Sequence, residues 1–403
     1  MSSLKTCAVL FLAISLAMVL PGDVPADEFK LIPSVAVREE YNDNIFFDPK
    51  DEEDDFITTI TPGLELINRT ERLDLNLAVG ISPFFYADNT DLNDVDQDYG
   101  GNINYRLTPR LNAAADASYL VDNRPDRDVE TSGLVQNAKT RRRQHYGAGL
   151  NYALSEKAGT SLSYAYDRDD FDSDQDRNKE YESHTAGLGF TYNLSQWVAA
   201  TIGRLNFGYA NYDYRTSETD YYFGSVGVLH NFTEIWSLLV DVGARYTDSE
   251  FERRVLVPPA TIQTVNDDDS GWGGIGQAVL EYRGETTRTS LTGSHDISAA
   301  SGRTGVVQRT KAVFDVRRRF TEKLVFGFSA GYYLNKADED EFGSNEIDEE
   351  TFRIQPRIRW EFFDNFTLEA AYSYNYENDD ANDTSSNRSK VFLQVAYGLP
   401  LFE

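Results

Sequence analysis

Cysteine is almost absent from this chain of 403 residues, which contains one cysteine, two methionines and four histidines. Cys7 and both methionines lie within the first 26 residues. Without that segment the chain has no thiol, which excludes disulfides, thiol catalysis and metal sites built on cysteine. The histidines occur singly, without the spacing of a metal-binding or general-base motif. We therefore expect no cofactor and no enzyme activity.

Long hydrophobic runs are also absent, except near the start of the chain. Lys5 precedes an apolar segment of about 13 residues, shorter than the roughly 20 that a membrane-spanning helix needs. Val24-Pro25-Ala26 follows, and small residues at that place are typical of a signal-peptidase site. We expect residues 1–26 to be a signal peptide and residues 27–403 to form one exported domain.

Positive charge is scarce relative to negative charge. The chain carries 66 acidic and 38 basic residues, a net charge of −28, so a nucleic acid would be repelled over most of its surface. Aromatic residues make up 13% of the chain, more than a disordered acidic protein contains. The composition indicates a folded protein without a nucleic-acid partner.

What the chain has in abundance is alternation. From Leu31 onward, segments of roughly 10–16 residues alternate apolar with polar residues. From Trp236 to Tyr246 every second residue is apolar, and segments 324–335 and 352–362 repeat the pattern. One face of such a strand suits lipid and the other suits water, although a strand of a soluble sandwich looks alike when taken singly.

The connections between these segments distinguish the two architectures. Short connections alternate with long ones, as in an up-and-down barrel with short periplasmic turns and long extracellular loops. The long ones fall near 42–55, 87–97, 122–140, 167–179, 211–220, 247–270, 298–304, 336–350 and 377–388. This predicts an all-β transmembrane antiparallel barrel of about 18 strands with both termini in the periplasm. Sixteen strands remain an alternative, because the boundaries near 211–220 and 298–304 are soft.

Aromatic residues stand where membrane interfaces would lie, near the ends of the predicted strands. Those expected near the long loops are Tyr86, Tyr119, Tyr166, Tyr209, Tyr246, Tyr332 and Tyr376, and those near the short turns are Trp197, Trp236 and Phe366. The last strand alternates from Val391 to Leu401, and Phe402 stands next to the end. Outer-membrane barrels resemble one another in closing with an alternating strand and a terminal aromatic, which the barrel-assembly machinery recognises.

Basic residues recur on the predicted inner face in the last third of the chain. The pore-lining candidates are Arg245, Arg283, Arg288, Arg309, Lys311, Arg317, Arg319, Arg353, Arg357 and Arg359. One interpretation is a cationic wall that attracts carboxylated or phosphorylated solutes. The other is a structural ladder of ion pairs with acids of the same phase, such as Glu281, Asp315 and Glu369.

Acidic clusters dominate the predicted loops. Asp172, Asp174 and Asp176 alternate like the oxygen ligands of a calcium loop. Arg177 then stands where that loop requires glycine, and Ser183 stands where it requires a bidentate glutamate. We therefore predict no dedicated metal site, only solvated loop tips that bridge divalent ions to lipopolysaccharide without specificity.

A family resemblance lies just after the signal segment. Tyr41-Asn42-Asp43-Asn44-Ile45-Phe46, followed by Thr61-Pro62-Gly63-Leu64, resembles the opening of a family of bacterial outer-membrane β-barrel porins. The general layout is similar over nearly the whole exported chain. Members of that family are often associated with exopolysaccharide or exosortase gene sets, so the resemblance implies a role in carrying or docking a secreted polysaccharide.

These features lead to one functional hypothesis and one rival. The first is a passive, porin-like channel in the outer membrane of a Gram-negative bacterium, for an anionic solute or a secreted exopolysaccharide. The rival is a closed barrel that docks surface polysaccharide or serves cell-envelope assembly. Expected partners are outer-membrane lipid and lipopolysaccharide, the barrel-assembly machinery and an anionic polysaccharide.

Overall fold

The computed structural model describes residues 28–122, 140–172, 179–257, 261–300, 302, 304–338, 342 and 346–401. Strands β1 to β18 are, in chain order, Glu28–Asn42, Asp55–Arg69, Leu73–Tyr86, Asp94–Thr108, Leu111–Asp122, Arg141–Ala153, Ala158–Phe171, Tyr181–Asn193, Thr201–Tyr214, Ser217–Asn231, Trp236–Val257, Thr261–Arg283, Thr287–Ala299, Val306–Arg319, Leu324–Ala337, Ile347–Phe363, Phe366–Asp379 and Thr384–Gly398. A 3₁₀ turn, Thr90–Leu92, lies between β3 and β4. Within these ranges no helix is both long and apolar enough to cross a membrane. The predicted signal peptide lies outside the described residues.

The strands form one closed antiparallel sheet. Each pairs with its neighbours in the chain, and β1 pairs with β18 from Ser34 opposite Gly398 to Asn42 opposite Lys390. Closure leaves no free first or last strand, so the wall satisfies its own backbone hydrogen bonds in a lipid solvent that offers none. The predicted up-and-down barrel of 18 strands is confirmed, and the alternative of sixteen is wrong.

The two ends of the barrel differ in the length of their connections. Eight connections of two to seven residues, such as 109–110 and 364–365, lie at one end, which we call the turn end. Nine connections lie at the opposite end, the loop end. Glu28 and Gly398 both lie at the turn end, since Glu28 is opposite Arg69 and Gly398 donates its N–H to the carbonyl of Asn365.

Two segments predicted as long loops are strands instead. Residues 211–220 continue β9 and β10, which pair as far as Tyr214 opposite Ser217. Residues 247–257 and 261–270 continue β11 and β12 as a ribbon that pairs as far as Val257 opposite Thr261, whereas β12 pairs with β13 only from Gly276 onward. The prediction was wrong there because it required apolar alternation. Strand pairing uses the backbone, so beyond the lipid a ribbon can be polar on both faces.

The outer face of the wall is apolar. Val226, Val242 and Leu393 are each more than half exposed on this face, although they are aliphatic. Even the shortest strand, β5, has 12 residues, whereas a tilted transmembrane strand needs only about 9–11. The barrel therefore presents its hydrophobic side chains where lipid would replace water.

Aromatic pairs border the apolar face at both ends. Tyr246 and Trp272 have ring centroids 5.4 Å apart toward the loop end, and Trp236 and Tyr282 are 5.0 Å apart toward the turn end. Such rings suit the membrane–water interface. Tyr86 is an exception to the predicted girdle. It lies on the inner face and is buried, because a loop folds over it.

Candidate functional site

The strand register places all ten predicted pore-lining residues on the inner face. They alternate along their strands with outward residues such as Val242, Phe314 and Ile358. The six exposed to the lumen near the turn end are Arg283, Arg288, Arg317, Arg319, Arg357 and Arg359. The four nearer the loop end, which are buried or half-buried, are Arg245, Arg309, Lys311 and Arg353. The ten therefore form two groups rather than one continuous strip.

Three of the four residues in the group nearer the loop end form hydrogen bonds with the wall. The Nε of Arg309 donates to the side-chain oxygen of Asn335 at 2.8 Å. Arg353 donates to Gln355, and Arg245 reaches the carbonyl of Gly274 at 3.4 Å. These contacts favour a structural role for this group.

The group at the turn end contains what we call the arginine row, Arg283, Arg288, Arg317 and Arg357. Arg283 is directly opposite Arg288, and Arg288 is directly opposite Arg317. Gly327 follows in the same register and is opposite both Arg317 and Arg357. Four guanidinium groups therefore line one level of the wall across five strands, with a glycine as the only interruption.

Acids accompany the row but do not neutralise it. Glu281 forms an ion pair with Arg283. Asp315 is the next inward-facing residue after Arg317 toward the loop end, and Glu369 is opposite Arg359. Neither carboxylate forms an ion pair with the row. Within the described ranges, the side chains of Arg288, Arg317, Arg357 and Arg359 form neither ion pair nor hydrogen bond. The alternative of a fully paired structural ladder does not describe this region.

The row lines a concavity of the inner wall with a volume of about 550 Å³. Its charged lining consists of the four row residues with Arg359, Glu281, Asp315 and Glu369. Five arginines face three carboxylates, so the concavity is cationic inside a chain whose net charge is −28. A volume of this size suits a small solute, for which pockets of about 300–1,000 Å³ are typical.

A further basic cluster, which was not predicted from the sequence, lies on β6 near the loop end. We call its bases, Arg141, Arg143 and His145, the ladder. Arg141 donates to Asp122 at 3.0 Å, and both side chains are buried. Arg143 forms a bidentate pair with Asp169, at 3.0 Å from Nε and 3.1 Å from Nη2. His145 contacts Asp167 at 2.7 Å and Asp116 at 2.8 Å, one carboxylate at each ring nitrogen. Two such contacts require two N–H donors, so this geometry favours the imidazolium form.

The loop end is narrowed by the tip of the β13–β14 hairpin. Ile297 and Val306 are buried in one cluster with Tyr214 and Tyr221 of the inner face of β9 and β10. The alternation along β13 and β14 would place Ile297 and Val306 on the outer face. Since both are packed against inner-face residues instead, the hairpin tip has folded inward. The Tyr221 hydroxyl donates to Asp296 at 2.6 Å and secures it.

The β1–β2 connection narrows the same end from another side. Ile45 and Phe47 are buried there, and Ile45 packs with Phe84 of the inner face. Asp55, the first residue after this connection, accepts hydrogen bonds from the backbone N–H groups of residues 87–89 at 2.9–3.3 Å. Burial alone would raise the pKa of the Asp55 carboxyl, but these donors outweigh it and the pKa lies below its ordinary value.

The residues considered as calcium ligands are only partly described. Asp172 forms an ion pair with Arg142 at 2.6 Å, and Asp174 and Asp176 lie outside the described residues. Among the residues that the structure describes, no group of three or more histidines, cysteines or carboxylates is placed to hold a metal ion.

Comparison with known proteins gives similarity of fold at a distance. No family model and no curated protein sequence matches the chain. Among solved structures it is similar to OccK2 (OpdF) of Pseudomonas aeruginosa, with 9% identity, 94% of this chain and 99% of that chain covered, and a TM-score of 0.45. Acinetobacter baumannii OccAB3 gives 12% identity, coverage of 93% and 100%, and a TM-score of 0.43. The Escherichia coli K12 ferric-catecholate import receptor Fiu gives 7% identity, coverage of 94% and 82%, and a TM-score of 0.47.

Proposed function

We propose that this protein is an outer-membrane channel that conducts anionic solutes. The observation that carries the proposal is the arginine row, in which Arg288, Arg317 and Arg357 face the lumen without an ion-pair partner among the described residues. Inside a low-dielectric wall, a group of fixed cations raises the local concentration of anions and repels cations. The carboxylates of a secreted acidic polysaccharide would have the same attraction, and the family resemblance makes such a polymer one candidate solute.

The proposal includes a membrane and an orientation. The apolar outer face and its aromatic borders suit a lipid bilayer, and in outer-membrane barrels the tight turns face the periplasm. On that basis the turn end, with both ends of the described sheet, is periplasmic. Lipid, lipopolysaccharide and the barrel-assembly machinery are then the expected partners. No catalytic role is proposed.

A current measurement tests the channel. Purified protein is inserted into a planar bilayer across a potassium chloride gradient, and the reversal potential gives the ratio of chloride to potassium permeability. We expect anion selectivity, lowered in a variant with Arg288→Gln, Arg317→Gln and Arg357→Gln. Arg318→Gln is the matched control, because residue 318 follows Arg317 in sequence and faces outward, over the ring of Phe320. Cation selectivity in the unaltered protein would refute the proposal.

A second candidate function follows from the narrowed loop end. If the inward hairpin tip and the β1–β2 connection close the lumen, the barrel would serve as a docking platform for surface polysaccharide. Negligible conductance together with loss of attached surface polymer in a deletion strain would favour docking over transport.

A further inference from the structure

The arginine row is arranged for more than one anionic group at a time. Neighbouring strands lie about 4.8 Å apart, so residues directly opposite one another place their side chains at that repeat. Arg283, Arg288 and Arg317 occupy three consecutive strands at one level. A single carboxylate can be held by one guanidinium fork, and the row offers several forks side by side.

Gly327 brings the fourth arginine into this group. A Cβ atom at residue 327 would lie 2.9 Å from Cγ and 3.0 Å from Nε of Arg357. The side chain of Arg357 therefore lies across the glycine, toward Arg317 on the far side of β15. Any larger residue would displace it. The glycine makes the close approach of Arg357 to the rest of the row possible.

The arginine row also lowers the stability of the protein when no ligand is bound. Like charges directly opposite one another on adjacent strands destabilise a sheet. Asp315 and Glu281 are the neighbouring inward-facing residues of Arg317 and Arg283 on their strands. Of these two carboxylates, Glu281 forms an ion pair, with Arg283, and Asp315 forms none with the row. Arg288, Arg317 and Arg357 thus keep their donors available to a molecule in the lumen. A ligand with several negative charges would relieve the repulsion, whereas one with a single charge would relieve it only in part.

We propose that the row binds solutes that carry two or more carboxylates spaced about 5 Å apart, either a small polycarboxylate or a run of uronate residues. This inference rests on the proposed channel and names its substrate class. The concavity, at about 550 Å³, admits a molecule of the size of a tricarboxylate, and a uronate polymer would pass several carboxylates along it.

Block of the chloride current tests the inference. Propionate, propane-1,2,3-tricarboxylate and a galacturonate oligomer are titrated at matched ionic strength. We expect the tricarboxylate to reach half-block at a concentration at least about tenfold below that of propionate, because each additional charge-assisted bond contributes more than a neutral one. A lower value for the galacturonate oligomer than for the tricarboxylate, on a molar basis, would identify the polymer as the better ligand.

Variants of the row test whether it is the site at which the tricarboxylate blocks the current. Arg317→Gln and Gly327→Ala should each raise the half-block concentration of the tricarboxylate by about tenfold and change that of propionate little. Arg318→Gln should change neither. Heat-modified electrophoretic mobility would show whether each variant is folded.

The outcomes separate the inference from the channel on which it rests. Equal half-block by the tricarboxylate and propionate in an anion-selective channel would overturn the inference and leave the channel. Cation selectivity would overturn the channel. If no current is seen, calorimetric titration of the detergent-solubilised protein with the tricarboxylate decides the binding, and no heat at millimolar ligand would overturn the inference.

Discussion

The inner wall carries two basic regions of opposite character. In the ladder near the loop end, Arg143 is opposite Asp169 and His145 is opposite Asp167. In the arginine row near the turn end, arginine is opposite arginine. The ladder satisfies its charges within the wall, and the row does not. The number of basic residues that face the lumen therefore indicates less about function than the identity of the residue opposite each of them on the neighbouring strand.

The difference follows from what each region has to do. Buried charges must be paired, since a carboxylate or guanidinium removed from water without a partner is very unfavourable. The ladder extends into a buried part of the wall, where Arg141 is 2% exposed. The row lies in an open concavity where water hydrates it, so it can remain unpaired until a solute arrives. Sites that oppose local stability in this way are expected where a protein binds something.

The largest effect should come from removing a ladder residue. Arg141→Gln removes the buried cation that pairs with Asp122 at 3.0 Å, whereas Asp169 keeps its pair with Arg143. We expect a loss of about 3–5 kcal/mol in the free energy of unfolding, the range for breaking a buried pair. Urea unfolding followed by tryptophan fluorescence measures it. Arg142→Gln is the control, because the exposed Arg142–Asp172 pair should contribute less than about 1 kcal/mol. Equal losses in the two variants would contradict the distinction.

An intermediate effect should come from the bond that secures the hairpin tip. Tyr221→Phe removes the donor to Asp296 and should loosen the packing around Ala300, whose N–H donates to Tyr214 at 3.1 Å. In an Ala300→Cys background, we expect maleimide to label the cysteine at least about fivefold faster, for a bond of about 1 kcal/mol. Tyr222→Phe changes the next residue, on the outer face, and should leave the rate unchanged. An unchanged rate in Tyr221→Phe would show that the tip is retained by packing alone.

A smaller effect of opposite sign is expected in the row. Arg288→Gln removes the cation that faces both Arg283 and Arg317. Since like charges opposite one another cost roughly 0.2–1 kcal/mol, the variant should unfold at the same or a slightly higher urea concentration. A loss of more than about 1 kcal/mol would mean that Arg288 is paired after all, and it would remove the contrast with the ladder.

Sequence alternation was sufficient to predict the barrel, because every hairpin repeats the same local rule. It was also sufficient to assign Arg288 and Arg317 a common inner phase. It could not align them, since the register between β13 and β14 depends on pairing over the whole strand. Arg141 and Arg143 were missed because they follow a predicted loop. The alternation of Arg141, Arg143 and His145, matched by Asp167 and Asp169 on β7, was the signal that could have revealed them.

The smallest effect concerns Asp55, a loop-end carboxylate satisfied by backbone N–H groups rather than by a cation. Its pKa is lowered in the folded protein, so its stabilising contribution is present above the unfolded pKa of about 3.9 and is lost as the pH falls through the lower folded value. Asp55→Asn should therefore speed amide hydrogen exchange at Ala87 to Asn89 at neutral pH, and the difference from the unaltered protein should vanish in acid. Asp54→Asn, which alters only an exposed bond with Tyr41, is the control. A difference that persists in acid would mean that shape rather than charge fixes this connection.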